Sequence, residues 1–394
     1  MSNQITGINF AAVLRQMLAI SPRVSDLIFS PGRPPQVEIN GKLEPVVIDG
    51  LEALTPGQTA GIAKVLLGNN QAAIRSLEET GAADLPYSLP GLSRFRCNIF
   101  MQRGTQAIVM RVIPNVIPSF ESLHLPRQLQ DIIELKNGIV LVTGPTGSGK
   151  SSTLAAIIDR INQTKYYHIV TIEDPIEFLH PHKKCTIHQR ELHTDTPSFA
   201  SALRSALRQA PKVILVGEMR DTETMEIALE AAETGHLVLS TLHTIDASKT
   251  VERIIGAFPK GEEHLIRMRL AASFRYIISQ RLIPRADGKG RVAAFEILKS
   301  TLRTREYIEK GEQDGKTLVD AMNDGNLEGM QTFDTEIERL IRAGIITQRD
   351  GLTYSTNPNN LMLKLSEFGS GSNLQEPVPP PYQPKESMLD MIER

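Results

Sequence analysis

Apolar residues along the chain follow two regimes, one on each side of residues 114 to 119. On the amino-terminal side, Phe10, Val13, Leu14, Met17 and Leu18 recur at helical spacing and predict an amphipathic core helix. SDLIFS and PPQVEINGKLEPV read as short strands, the second folded at Asn40-Gly41, a pair suited to a tight hairpin turn. Thr55-Pro56 opens a helix rich in Ala and Leu, and FRCNIFMQRGTQAIVMRVI alternates like a hairpin. Pro114 and Pro118 then break the pattern. The expectation is a mixed α+β domain over residues 1–116 and a linker over 117–119.

From residue 120 the pattern becomes that of a parallel α/β domain, expected to run to residue 365. GIVLVTG, HIVTIED, KVILVGE and HLVLSTLHT are short, β-branched, nearly continuous apolar runs separated by helical segments, as suits strands buried on both faces. Arg269 to Pro284 is helical in pattern, ADGKGRVAAFEIL reads as a turn and a strand, and TEIERLIRAG as a helix. The remainder, 366–394, is Gly/Ser-rich and then Pro-rich, which favours a flexible or polyproline-II tail; its closing residues suit either a short docking helix or an untethered end.

Composition narrows the partners. Over 394 residues, 43 basic side chains stand against 45 acidic ones, so the net charge of -2 gives no overall pull toward nucleic acid or an anionic membrane. No nucleic-acid-binding module is recognisable. No apolar run approaches the roughly 20 residues that cross a bilayer, so membrane association would be peripheral. The two cysteines, Cys97 and Cys185, form no CxxC and cannot supply a four-cysteine zinc site, which fits a reduced, cytoplasmic compartment.

The chemistry concentrates at strand ends. GPTGSGKS, Gly144 to Ser151, follows an apolar strand and precedes a helix, the context in which backbone N–H groups cradle phosphate oxygens. Gly144, Pro145, Thr146, Gly147, Ser148, Gly149, Lys150, Ser151 and Ser152 are the expected ATP cradle, with Lys150 on the β- and γ-phosphates and the Ser151 hydroxyl on Mg²⁺. TIEDPIEF places Glu173, Asp174 and Glu177 at the end of a second strand, on the side where parallel sheets bind ligands. PKVILVGEMRD ends in Gly217 and Glu218 where such strands often end in aspartate. His236 and His243 flank the strand HLVLSTL; seven residues of strand, about 23 Å, are too many for one metal site. His243 is placed to sense the γ-phosphate, whereas His236 suits a structural role as well as a catalytic one. Arg94, Arg96, Arg103 and Arg111 precede the loop and form either a solvated edge or an anion-binding surface, the first candidates for an arginine acting on a neighbouring subunit's nucleotide. Arg204 and Arg208, four apart, are the second.

Five motifs in order, GPTGSGKS, TIEDPIEF, VILVGEMRD, AETGHLVLSTLHT and GMQTFD, resemble those of the secretion ATPase superfamily, and most closely the type IV pilus retraction (twitching motility) ATPases, over roughly residues 5 to 345. The resemblance implies a PAS-like α+β domain followed by a RecA-like P-loop ATPase domain. It further implies a cytoplasmic homohexameric ring, peripheral at the inner membrane, that binds ATP at the junction between domains and subunits. Glu218 would be the Walker B glutamate beside Mg²⁺ and Glu177 the general base, with Glu173 and Asp174 supporting metal and water. His236 and His243 would be the His-box pair, and the trans arginines would come from RFRCNIFMQRG. An inner-membrane pilus platform protein and a paralogous pilus ATPase are the implied partners. The function implied is pilin disassembly by ATP hydrolysis; the alternatives are an accessory nucleotide-binding ring and a related secretion-system ATPase. An extension motor fits less well, lacking here the four-cysteine metal site of such chains. Two departures stand out: Ala210-Pro211-Lys212 replaces a segment that in the family commonly carries an aspartate, and TLRTREYIEKGE only weakly matches the carboxy-terminal motif of the retraction motors.

Overall fold

The computed structural model describes residues 4–5, 8–114 and 116–367, and the chain folds as two units that part between Val116 and Ile117. In the first, β1 (Gln4–Ile5) pairs with β2 (Ile8–Asn9), and the Asn9 side chain caps α1 (Phe10–Ala19) by accepting the Ala12 N–H. Phe10, Val13, Leu14 and Met17 are buried along the face that their spacing defines. Next come β3 (Val24–Phe29), β4 (Gln36–Ile39) and β5 (Lys42–Pro45). Asn40 and Gly41, both at positive φ, make the tight turn between β4 and β5. Thr55 and Gln58 form a reciprocal capping box ahead of α2 (Pro56–Leu67), and α3 (Gln71–Thr80) ends on a left-handed Gly81. Then β6 (Ala82–Leu89), β7 (Ser93–Gln102) and β8 (Thr105–Ile113) complete a wholly antiparallel sheet of order β5-β4-β3-β8-β7-β6.

The second unit begins with a 3₁₀ segment, Arg127–Glu134. Its sheet is built from β9 (Gly138–Thr143), then α4 (Lys150–Thr164), β10 (His168–Glu173), β11 (Thr186–Glu191), α5 (Phe199–Ala206) and β12 (Val213–Val216). The chain continues through α6 (Thr222–Glu233), β13 (Leu237–Leu242), α7 (Ala247–Ile255), α8 (Glu263–Ser273), β14 (Phe274–Pro284) and β15 (Arg291–Lys299). The order is β11-β10-β12-β13-β9-β14-β15, six parallel strands with β15 antiparallel at one edge. Every residue of β9, β12 and β13 is buried, because both faces are covered. Val140, Val142 and Leu239 face α4 and the 3₁₀ segment; Ile139, Leu141 and Val238 face α5 to α8. The α/β expectation for this unit is met.

One sequence expectation is corrected. Helix α8 stops at Ser273, and Phe274–Pro284 is the strand β14. FRYIISQRLI is apolar nearly throughout, so its pattern does not distinguish buried helix from buried strand; pairing with both β9 and β15 decides it. Strand β11, polar and at the sheet edge, was not anticipated from the pattern. After β15 come α9 (Leu302–Lys310), α10 (Leu318–Asp324), α11 (Phe333–Arg342), α12 (Gln348–Tyr354) and α13 (Pro358–Glu367). The first two residues of the expected tail close α13; the rest of that segment lies outside the described residues. No helix among the described residues is long and apolar enough to cross a membrane.

Candidate active site

The registers bring the carboxyl ends of four central strands together: Leu242 pairs with Thr143, Val216 with Ser240, and Ile172 with Val216. Beyond these ends lie the phosphate loop after β9, the acidic turn after β10, Glu218 after β12 and His243 after β13. The Gly144 N–H donates to Leu242 O (3.3 Å), which ties the start of the loop to the end of the histidine strand.

Two glycines give the loop its shape. Gly144 and Gly149 adopt φ of 145° and 86°, and a Cβ on Gly144 would lie 2.5 Å from Gln280 O. On Gly149 it would lie 2.8 Å from Gln280 Nε2. Only glycine supplies such a backbone without clash. Gln280, buried on β14, also accepts the Thr153 hydroxyl (2.9 Å), and Ser279 beside it accepts the Thr143 hydroxyl (3.1 Å). The misread strand is therefore the floor of the loop.

Helix α4 starts at Lys150 behind Gly149, with no side chain capping its first N–H groups. Ser148 Oγ and Ser152 Oγ are buried without a protein partner, while Gly147 faces open space. A concave turn of N–H and hydroxyl donors at a helix amino terminus fits the oxygens of a polyphosphate. Lys150 Nζ donates to Gly144 O (2.9 Å) and Pro145 O (3.0 Å), and burial pulls its ammonium below the ordinary lysine range, with Glu218 acting against that shift.

Glu218 is half-enclosed by two side chains, Arg220 and His243. Arg220 Nε donates to its Oε2 at 2.7 Å, and His243 Nε2 lies 3.3 Å from its Oε1. Gly217 allows this close approach: its N–H donates to Ile172 O (2.8 Å), and a Cβ there would meet Ile172 O at 3.2 Å and Glu173 Cα at 3.3 Å. An aspartate at 217 would push against the neighbouring backbone, so the carboxylate comes one residue later. Among the described residues, no three His, Cys, Asp or Glu side chains converge on a metal position. Oxygen ligands from Ser151 and Glu218, completed by phosphate and water, are instead the donor set that suits Mg²⁺.

Glu173 is buried, and burial raises its carboxyl to about 7, against the lowering effect of bonds from Thr171 Oγ1 (2.7 Å) and Gln189 Nε2 (3.1 Å). The Glu177 N–H donates to Glu173 Oε2 at 3.4 Å, and the Asp174 and Glu177 side chains are exposed.

Other expected residues sit elsewhere. His236 stands at the opposite end of β13, its Nδ1 2.9 Å from Ala231 O and its carbonyl accepting the Gly138 N–H. Seven residue steps, about 23 Å, separate it from His243, so the ring closes the α6–β13 turn instead of joining this constellation. Lys212 is exposed at the amino end of β12, with its N–H on His168 O, so the missing acid leaves the carboxyl-end site untouched. Arg204 pairs with Glu223 (2.6 Å), and Arg208 lies past the end of α5. In the first unit, Arg94 and Arg96 share the outward face of β7, Arg103 occupies the β7–β8 turn, and Arg111 is 3.1 Å from the buried Asp26. Sequence reasoning missed Thr171, Gln189, Arg220 and Gln280; Gln189 and Gln280 lie on the strands whose pattern misled or was too polar to register.

The sequence profile of the type II/IV secretion system protein family matches residues 92–343. The chain is 42% identical over 349 residues to the type IV pilus retraction ATPase PilT of Pseudomonas aeruginosa, covering 88% of this chain and 99% of that one. It is 40% identical over 365 residues to the type IV pilus ATPase PilU of the same organism, covering 92% and 93%. A crystal structure of the pilus retraction motor PilT with bound ADP superposes with a TM-score of 0.79 at 41% identity, covering 90% of this chain and 98% of that chain.

Proposed function

Since the chain belongs to the type II/IV secretion system protein family and is an ATP-hydrolysing enzyme, we propose that it drives type IV pilus retraction as a cytoplasmic homohexamer, turning an inner-membrane platform protein so that pilin returns to the bilayer. The observation that carries this reading is the 42% identity to a retraction ATPase over 99% of that protein's length, joined to an intact constellation at the strand ends.

The residues divide the labour by position. Loop amides and the Ser148 and Ser152 hydroxyls hold the phosphates of ATP, and Lys150 leaves its carbonyl partners for the β- and γ-phosphates. Ser151 and Glu218 would hold Mg²⁺, which would neutralise the charge that builds on the transferred phosphoryl group. Glu177 takes the proton of the attacking water, with Glu173 and Asp174 orienting that water and the metal shell. His243, across Glu218 from Arg220, reads the γ-phosphate. An arginine from a neighbouring protomer completes charge stabilisation.

Deletion of the gene in its host tests the reading. Retraction predicts abundant pili without twitching, whereas absent pili would assign the chain to assembly. A second reading, an accessory ring that depends on a principal motor, is favoured by the 40% identity over 93% of PilU. It predicts negligible ATP turnover by the purified protein alone.

A further inference from the structure

The acidic turn has to hold Glu177 still although that side chain is exposed and the turn belongs to no helix or strand. Its backbone is anchored from one side by β11. The register pairs Thr171 with Gln189 and Glu173 with Glu191, so all four side chains project from one face of the two strands. Gln189 Nε2 donates to Glu173 Oε1 (3.1 Å) and to Phe178 O (2.8 Å), while its Oε1 accepts the His180 N–H (2.8 Å). Two residues along, Glu191 Oε2 accepts the Ile176 N–H at 3.1 Å. The backbone is thus fixed at 176, 178 and 180, on both sides of Glu177, and the same amide group touches the buried Glu173.

From this geometry we infer that Gln189 is a positioning residue for hydrolysis: it sets the acidic turn so that Glu177 meets the attacking water, without touching nucleotide itself. Only a carboxamide does this, because the position needs two donors toward Glu173 and Phe178 and one acceptor toward His180; a carboxylate lacks the donors and an aliphatic side chain lacks everything. The inference rests on the reading of Glu177 as the base.

Two substitutions in the full chain, Gln189→Leu and Gln189→Glu, test it through kcat, KM for ATP, the Kd of a fluorescent ATP analogue, and Tm. Misplacing a reacting group by about 1 Å costs on the order of a hundredfold, so kcat is expected to fall between about tenfold and a hundredfold in both. KM and Kd should stay within about twofold of the parent, because the phosphate loop is built on other strands. A part in folding alone would lower Tm and leave kcat per folded molecule unchanged. If Gln189→Leu fails to fold, the isosteric Gln189→Glu, which keeps the acceptor, carries the test. Unchanged kcat, or KM and Kd rising in step with the loss of kcat, would overturn the inference. Glu177→Gln separates the two layers: normal turnover in it removes the base assignment, whereas lost turnover in it with normal turnover in both Gln189 variants removes this inference alone.

Discussion

At the scale of single residues, the site's charges answer one another. Lys150 rests on the carbonyls of Gly144 and Pro145, and Glu218 is held between Arg220 and His243. On the proposed reading each exchanges these partners for phosphate or metal, and the two exchanges affect different steps. If Lys150 makes charge-assisted bonds to the ground-state nucleotide, as proposed, Lys150→Ala should weaken ATP binding by about tenfold to a hundredfold in a fluorescence titration. Glu218→Gln keeps the size and the loop, so ATP should bind within about threefold of the parent while kcat drops by about a hundredfold. Weakened binding in Glu218→Gln equal to that in Lys150→Ala would show that the carboxylate acts on nucleotide affinity and not on the chemical step. Both residues were readable from sequence because a loop motif and a strand end have fixed chemistry. Arg220 was not, because nothing in GEMRD says that its guanidinium turns back two residues onto Glu218.

At the scale of elements, β14 sets the floor of the phosphate loop and, with β15, buries a second carboxyl. Glu296, opposite Ser279 in the register, accepts the Ala247 N–H at 2.8 Å, and burial pushes it up to about 7, with Asp246 raising it further and Arg281 opposing. The folded state therefore holds a proton on Glu296 at pH values where the unfolded chain, near 4.5, has lost it. Stability from this group is fully present at low pH and falls as pH rises from about 4.5 to about 7. Glu296→Gln should then be more stabilising at pH 8 than at pH 5, by on the order of 1 kcal/mol in urea unfolding; an equal effect at both pH values would rule out the raised carboxyl. This pair of strands also marks how far the sequence could be read. Runs such as GIVLVTG were legible because their ends carry loop signals. FRYIISQRLI was read as helix because it continues the apolar pattern of α8 without a break. The motif GMQTFD, one of the five that carry the family resemblance, is architectural: Gln331 donates to Phe295 O (2.8 Å) and accepts from Gln128 (3.0 Å), fastening the 3₁₀ segment to β15, and Thr332 caps α11. The His-box pair divides the same way, since a strand's length puts one histidine at the site and the other at the far edge.

At the scale of the whole molecule, the second unit carries the loop, the acids and His243; its Arg220 is held by Glu218 and its Arg204 by Glu223. The first unit has four candidates, and its geometry ranks them. Arg111 is committed to the buried Asp26, and Arg103 serves a turn at positive φ. Arg96 is exposed on the outward face of β7, beside half-buried Arg94, and is the first choice for a residue that reaches a neighbouring protomer's nucleotide. In a ring with one repeated interface, such a residue leaves a signature in mixtures. Arg96→Ala should be nearly inactive, since an arginine of this kind contributes on the order of a thousandfold or more to kcat, and Lys150→Ala should be nearly inactive at ATP concentrations well below its weakened Kd. Mixed in equal amounts after dissociation, half of the protomers keep an intact loop and half of their neighbours keep an intact arginine, so about a quarter of the sites should regain activity. An arginine acting within its own protomer predicts no recovery at any ratio, because every chain would carry one defect at its own site. The dependence on mixing ratio adds a second check: activity should peak at equal amounts and vanish at both extremes, whereas contamination by parental protein would give a level independent of the ratio.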